Sequence, residues 1–502
     1  MRGRPLHGSD LATAAPAWAP TGAPTAVAPA AVAPTAVAPA AIVPAFGAPT
    51  SRWPDRLPLP GVERRAAMPG GFVAGGLAAG IKRSGRSDLA IVRATDGPAA
   101  AAAVFTPNRF AAAPVRLSRA HLALTDPGGQ GGYGWAEAVV STSGCANAAT
   151  GVAGDADQAE VAAALAAALG IAPERTLALS TGVIGTRLPL DTVRGGISRL
   201  ASSGLTAAAD GLEAAAIALR TTDSTTKLAT TTVALPGPAG RPTTVTVSGI
   251  AKGVGMIHPR MATMLAVLLT DAAVPPSLLH GLLRGATART WDQLSVDGDT
   301  STNDTVFILA SGAAGAAPIA AESEAAARLG TAIEAVARDL ARQQAADGEG
   351  ATTLLTCVVT GAVDDADARA VARAVISSSL VKAAVHGRDP NWGRIAGAAG
   401  NATCAEAAIL EAAGLAPARA AARAGAPARI EPALLRISIA GTRVYDGALG
   451  GPVPFDRDSV RFAMDAPETV IALDLGLGEG EGEAFGCDLT ETYVIENSEY
   501  TT

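Results

Sequence analysis

Histidine, cysteine and aromatic side chains are scarce in this sequence, and each shortage removes a class of chemistry. The 502 residues include five histidines (His7, His121, His258, His280, His386), with no H-E-x-x-H and no close pair, so a histidine-based zinc centre is not expected. The four cysteines (Cys145, Cys357, Cys404, Cys487) are scattered without a C-x-x-C pair. A disulfide framework or structural zinc site is therefore not expected, and a reducing cytoplasm is the expected location. Aromatics are only 3%, and no run of eighteen bulky apolar residues occurs, so no transmembrane helix is expected. Basic residues number 39 against 46 acidic ones, a net charge of −7. Nucleic acid needs a clustered basic face, so it is not an expected partner. G-x-S-x-G is also missing, which removes the nucleophile elbow of the Ser-His-Asp hydrolases.

Small residues dominate instead. Hydrophobic residues make up 49%, with 56 glycines and 33 prolines. Twelve of those prolines fall in the first sixty residues, recurring every fifth position from Pro24 to Pro54. The decapeptides Thr25–Pro34 and Thr35–Pro44 are near copies. Proline at that density forbids a helix, and alanine and valine supply too little side chain for a core, so residues 1–62 are expected to be a disordered tail. Glycine-rich text invites a nucleotide site, but the spacings fail. Gly76–Lys82 lacks the G-x-x-x-x-G-K-[ST] frame, and Gly476–Gly486 fails G-x-G-x-x-G while carrying three glutamates. No metal or tightly held cofactor is expected.

Helices are expected at Asp155–Leu169 (closed by Gly170), Pro276–Arg289, Ser323–Ala346 and Asp365–Ser378. Strands are expected at Thr176–Leu179, Thr230–Leu235, Thr243–Val247, Thr305–Ala310, Leu354–Val359 and Leu435–Ile439. The two kinds mix without regular alternation, which points to an α/β (α+β) protein of layered sheets flanked by helices. The alanine-rich stretch Gly312–Ala346 reads as an entry loop and a surface helix.

The most unusual text is Ala251–Leu265, AKGVGMIHPRMATML, in which a glycine-punctuated loop with a lysine and a proline runs into an apolar strand. Thr263 sits at the junction. Taken alone it is a β-branched strand residue. Gly253, Gly255 and Pro259, however, permit unusual backbone angles just before it. A threonine hydroxyl held against its preceding carbonyl can attack it, and hydrolysis of the resulting ester cuts the chain between Ala262 and Thr263. Thr263 then carries a free α-amine, a base with a pKa of about 7.7–8.0, beside its own hydroxyl. That nucleophile needs no histidine.

Six blocks in order give the chain a family resemblance: Ser180–Pro189 (STGVIGTRLP), Lys252–Leu265 (KGVGMIHPRMATML), Val296–Val306 (VDGDTSTNDTV), Gly348–Ala351 (GEGA), Gly387–Ile395 (GRDPNWGRI) and Asn497–Thr502 (NSEYTT). The sequence resembles, from about Met68 to its end, the ornithine acetyltransferases, or bifunctional glutamate N-acetyltransferases, of cyclic arginine biosynthesis. The resemblance implies an αββα N-terminal-nucleophile-like fold and self-cleavage at Ala262–Thr263 into chains 63–262 (with the tail) and 263–502. It also implies acetyl transfer from N-acetylornithine to glutamate by a ping-pong mechanism through an acetyl-Thr263 ester, with acetyl-CoA open as a second donor. On the same ground the two chains are expected to assemble as a heterotetramer.

Thr263 falls on the family's nucleophile position, and Thr181 and Gly182 fall on its oxyanion pair. Substrate contacts carry over onto Thr221, Lys252, Thr263, Glu349, Asn497 and Thr502. The charges suit an amino acid, since Lys252 can hold a carboxylate and Glu349 an ammonium. The block Val296–Val306 carries Asp297, Asp299 and Asp304 but lacks the glycine and distal glutamate of a calcium loop, so a hydrogen-bonded loop bracing the site is expected. Asn391, in Gly387–Ile395, is expected near the nucleophile region. The chain departs from the family at Arg220 (usually methionine), Thr226 (usually proline), Cys145 and Trp291-Asp292. Two other functions share the motifs: a hydrolase or aminopeptidase passing the acyl group to water, and an uncut interaction protein without activity.

Overall fold

The computed structural model describes residues 60–238, 241–258 and 264–498. The disordered tail expected at 1–62 lies almost wholly outside the described residues, as do Ala262, Thr263 and Thr502. Strands and helices are numbered in chain order. The first sheet has four strands in the order β1-β2-β5-β6: Phe72–Leu77, Leu89–Ala94, Ala138–Cys145 and Thr176–Val183. The second has six in the order β4-β3-β11-β9-β8-β7: Tyr133–Ala136, Ala99–Phe105, Thr305–Ala310, Leu265–Thr270, Pro242–Lys252 and Lys227–Pro236. The helices nearest the site are α1 (Ala113–Thr125), α2 (Gly151–Leu169), α3 (Leu190–Ser203), α4 (Ala209–Leu219), α5 (Pro276–Arg289) and α6 (Glu324–Ala346).

The layering follows from period-2 alternation along the strands. In β9, Leu265, Val267 and Leu269 join a core shared with the four-stranded sheet, whereas Ala266 and Leu268 face the opposite core with α5 and α6. In β11, Phe307 and Leu309 face the first core, and Val306, Ile308 and Ala310 face the second. In β2, Ala90, Val92 and Ala94 meet the shared core, while Leu89 and Ile91 pack against α2 and α3 through Val161, Leu165, Val193 and Ile197. Every strand buried on both faces must be apolar on both, and the result is a helix–sheet–sheet–helix stack. The expected αββα layering is therefore observed.

A third sheet lies beyond α6. Its seven strands run β10-β17-β12-β16-β13-β14-β15, namely Leu294–Ser295, Gly480–Cys487, Leu354–Ala362, Glu468–Asp474, Arg436–Ile439, Thr442–Asp446 and Gly451–Pro452. Phe485 and Cys487 share a core with α6, and Ala484, just before them, faces the core built with α7 (Asp365–Ser377). This corrects the reading of α6 as a surface helix. Ser323 caps it by accepting from the Ala326 amide at 3.1 Å, and Leu329, Ile333, Val336 and Leu340 are fully buried. Two of its guanidiniums reach the third sheet: the half-buried Arg338 pairs with Glu483 and the buried Arg342 with Glu468.

The six-stranded sheet draws β3, β4, β7 and β8 from before Ala262 and β9 and β11 from after it. β8 pairs antiparallel with β9, and Lys252 stands opposite Leu265. The four cysteines are all free and buried. No helix among the described residues is long and apolar enough to cross a membrane.

Candidate active site

The oxyanion candidates stand at the end of β6. β5 and β6 run parallel until the register slips between Gly144 and Cys145, a bulge that re-aims the last peptides of both strands. Gly182 has φ +131°, and a Cβ there would lie 2.3 Å from the carbonyl carbon of Gly144. Only glycine fits, by conformation and by space. Gly182→Ala must therefore shift the turn. We expect kcat to fall by roughly 10²–10³, the cost of a misplaced oxyanion donor, with KM little changed. Steady-state kinetics check this, and a kcat near the wild-type value would remove Gly182 from that role.

Lys252 ends β8. It is buried, and its Nζ donates to Thr181 Oγ1 at 3.2 Å. Burial pushes its ammonium below the ordinary lysine range, and the neighbouring Asp223 carboxylate opposes that shift. Asp223 is the hub of the loop 221–226. Its Oδ1 accepts from Lys227 Nζ at 2.7 Å and from the Gly253 amide at 2.8 Å, and its Oδ2 accepts from the Thr221 amide at 3.1 Å. Burial alone would raise this carboxyl, but the Lys252 and Lys227 ammoniums hold it down at about 2.

Glu349 follows α6 and lines the same cavity as Lys252. Its carboxylate accepts from Thr222 Oγ1 and from Asn497 Nδ2, both at 2.9 Å. Asn497 lies on the C-terminal helix Glu491–Ser498. Gly255 makes room, since a Cβ there would sit 2.1 Å from Glu349 Oε2.

Thr181, Gly182, Thr221, Lys252, Glu349 and Asn497 together line one cavity of about 280 Å³. The six described residues expected to form the oxyanion pair and the substrate contacts thus meet in one place, brought there from five separate segments. Ala262, Thr263 and Thr502 lie outside the described residues, although Met264, the neighbour of Thr263, is fully buried just before β9. Asp223, Asn303 and Asp304 were not singled out as site residues, although Asn303 and Asp304 lie inside the block Val296–Val306.

Asp297 behaves as the bracing loop required. Its carboxylate accepts from the Ile257 amide at 2.8 Å and the Asp299 amide at 3.2 Å, and no cluster of metal-ligating side chains occurs among the described residues. Asn391 is a correction. It caps the helix Trp392–Gly400 by accepting from the Arg394 amide at 3.2 Å, in the lobe of the seven-stranded sheet, and does not line the cavity. Two departures from the family pattern meet each other: Arg220 Nη1 donates to Thr226 Oγ1 at 3.3 Å, and its Nη2 donates to the Asp223 and Ser224 carbonyls, each at 2.7 Å. The departure at Trp291 is fully buried, its indole nitrogen donating to Gln344, which in turn donates to the Lys252 carbonyl, both at 2.8 Å.

Residues 73–502 match the ArgJ family. The chain is 43% identical over 435 residues to the arginine biosynthesis bifunctional protein ArgJ of Thermus thermophilus, covering 87% of this chain and 99% of that one. The chain belongs to the ArgJ family. The protein of the same name from Deinococcus radiodurans is 41% identical over 449 residues, covering 89% of this chain and 99% of its own length. Among solved structures, the Mycobacterium tuberculosis ornithine acetyltransferase complexed with ornithine is 36% identical, with a TM-score of 0.34, over 40% of this chain and 97% of that one. ArgJ membership agrees with the six motif blocks, and the cavity just described falls within the matched span.

Proposed function

We propose that this ArgJ-family chain is an acyltransferase of arginine biosynthesis. It moves an acetyl group from N2-acetylornithine to glutamate and releases ornithine and N-acetylglutamate. The observation that carries the reading is the one cavity in which a buried ammonium, a carboxylate and a Thr-Gly turn with Gly182 at φ +131° converge. Such a pocket suits a small amino acid bearing an acyl group.

In the proposed maturation, Thr263 Oγ attacks the Ala262 carbonyl, the peptide C–N bond breaks, and the acyl group passes to oxygen with the proton going to nitrogen. Water then hydrolyses the ester, giving chains 1–262 and 263–502. In turnover the free α-amine takes the hydroxyl proton while Oγ attacks the acetyl carbon. Thr181 and Gly182 receive the developing oxyanion, a term that grows in the low-dielectric cavity. The C–N bond breaks, the proton passes to the departing ornithine nitrogen, and acetyl-Thr263 remains. The glutamate amine attacks the ester carbonyl, the C–O bond breaks, and the proton lost from that amine passes through the α-amine to Oγ, releasing N-acetylglutamate. Lys252 holds a substrate carboxylate and Glu349 the ammonium, with Thr221, Asn497 and the Thr502 carboxylate completing the contacts. Acetyl-CoA remains open as a second donor. We further propose a heterotetramer of two such chain pairs, acting in the cytoplasm.

The test is ornithine release from N-acetylornithine with and without glutamate. Transfer predicts a single acyl-enzyme burst without glutamate and sustained turnover with it. Sustained release without glutamate would assign the acyl group to water and make the chain a hydrolase.

A further inference from the structure

Substrate contact does not explain two adjacent side chains, one lining the cavity and the next fully buried. Asn303 lines it and is 5% exposed. Its Nδ2 donates to the Ala146 carbonyl at 2.7 Å and to the Ser180 carbonyl at 2.8 Å. Its Oδ1 accepts from Thr302 Oγ1 at 2.7 Å, which fixes the orientation of the amide. Both carbonyls lie at the end of the four-stranded sheet, one just after β5 and the other on the residue before Thr181. Asp304 is fully buried, and its Oδ1 accepts from the Met264 amide at 3.0 Å. Met264 directly follows Thr263 in the sequence. The backbone carbonyl of Asp304 is itself held, accepting from the Thr106 amide at 2.9 Å.

We propose that Asn303 and Asp304 are positioning residues that set the oxyanion turn against the nucleophile segment, one side chain gripping each. This rests on the roles given above to Thr181, Gly182 and Thr263. The peptide bond is planar and trans, so holding the Ser180 carbonyl fixes the direction of the Thr181 N–H. The two anchors sit on neighbouring residues, whose Cα atoms are about 3.8 Å apart across a trans peptide, so the spacing between turn and nucleophile is set by one rigid unit. The two gripped segments belong to different sheets, and a slip of about 1 Å between them would cost about 10²-fold in rate.

Asn303→Asp separates positioning from general structural support. An ionised carboxylate facing two carbonyls cannot donate, but its protonated form can donate to one of them. At pH 8 we expect kcat about 10²–10³ below wild type with KM within about threefold, the loss of a pre-aimed oxyanion donor. The ratio of variant to wild-type kcat should then rise as the pH is lowered to 6, because protonation restores a donor. Asn303→Ala should lose activity by a similar factor at every pH. A kcat within threefold of wild type, a loss confined to KM, or an N303D ratio that ignores pH would overturn the proposal. Should N303D not fold, Asp304→Asn against Asp304→Ala decides. The amide oxygen can still accept from Met264, so D304N should keep far more kcat than D304A, and equal losses would overturn the proposal. Thr263→Ala measured alongside tests the underlying reading separately, because an active T263A defeats the nucleophile assignment whatever Asn303 does.

Discussion

Thr263→Ala should leave one uncut chain and abolish acetyl transfer. Both outcomes follow from the same atom. Without Oγ there is no group to attack the Ala262 carbonyl, so the peptide bond survives. With the bond intact, residue 263 has no α-amine to act as base and no hydroxyl to carry the acetyl group. Removing a nucleophile and its base together typically costs on the order of 10⁴-fold or more in kcat. Intact mass under denaturing conditions reads the first outcome, and ornithine release reads the second. Thr263→Ser keeps an attacking hydroxyl and is expected to cleave. A wild-type protein that transfers acetyl while remaining one chain would show that the N-terminal amine is not the base.

Asp223→Asn should unsettle both stability and pH dependence. The carboxylate is fully buried against Lys227 and Lys252, and Lys227 is itself inaccessible. Lys227 keeps its second partner, Asp347, at 2.5 Å, but Lys252 loses a buried counter-charge, so the expected loss lies at the lower end of about 3–5 kcal/mol. Urea unfolding should show a lower midpoint with little change in slope. The acid range gives a second reading. Folding lowers the Asp223 pKa from 3.8 to about 2, so its stabilisation is fully present above the unfolded value and disappears as pH falls through the folded one. At neutral pH that amounts to roughly 2 kcal/mol, lost between about pH 5 and pH 1. The asparagine variant should lack this part of the acid transition. Lys252 loses the charge that counters its burial, so its pKa falls further and the alkaline limb of kcat/KM should move to lower pH. An unmoved alkaline limb would separate Lys252's ionisation from the reaction.

How much of this was legible in the sequence depended on how local the determining interactions are. Pro276–Arg289 and Thr305–Ala310 were read with the same bounds that the structure shows, because their apolar patterns and breakers are self-contained. The strand ending in Thr181-Gly182 was legible too, although it extends to Val183. The strand Ala99–Phe105 was not, because five successive alanines favour a helix on propensity and only pairing with β4 and β11 makes them a strand. The burial of α6 was hidden for a similar reason: its second cover is a sheet built from distant strands. At the site, the residue types that bear charge or hydroxyls stood out in the motifs. Asp223 and Asn303 did not, since their importance lies in partners such as Gly253, Ala146 and Ser180, which neither spacing nor composition brings near.

The six-stranded sheet is woven from both sides of the Ala262–Thr263 bond, with β8 and β9 paired across it. Folding of the uncut chain is a unimolecular search in which the loop between these strands keeps them near each other. A cut there would remove that tether while leaving the sheet intact. Unfolded mature protein would then have to find its other half by diffusion, so its recovery would depend on concentration and the folded state would persist by its barrier to opening. Maturation would in this way make assembly a one-time event, with the precursor holding information about its partner that the finished enzyme no longer carries.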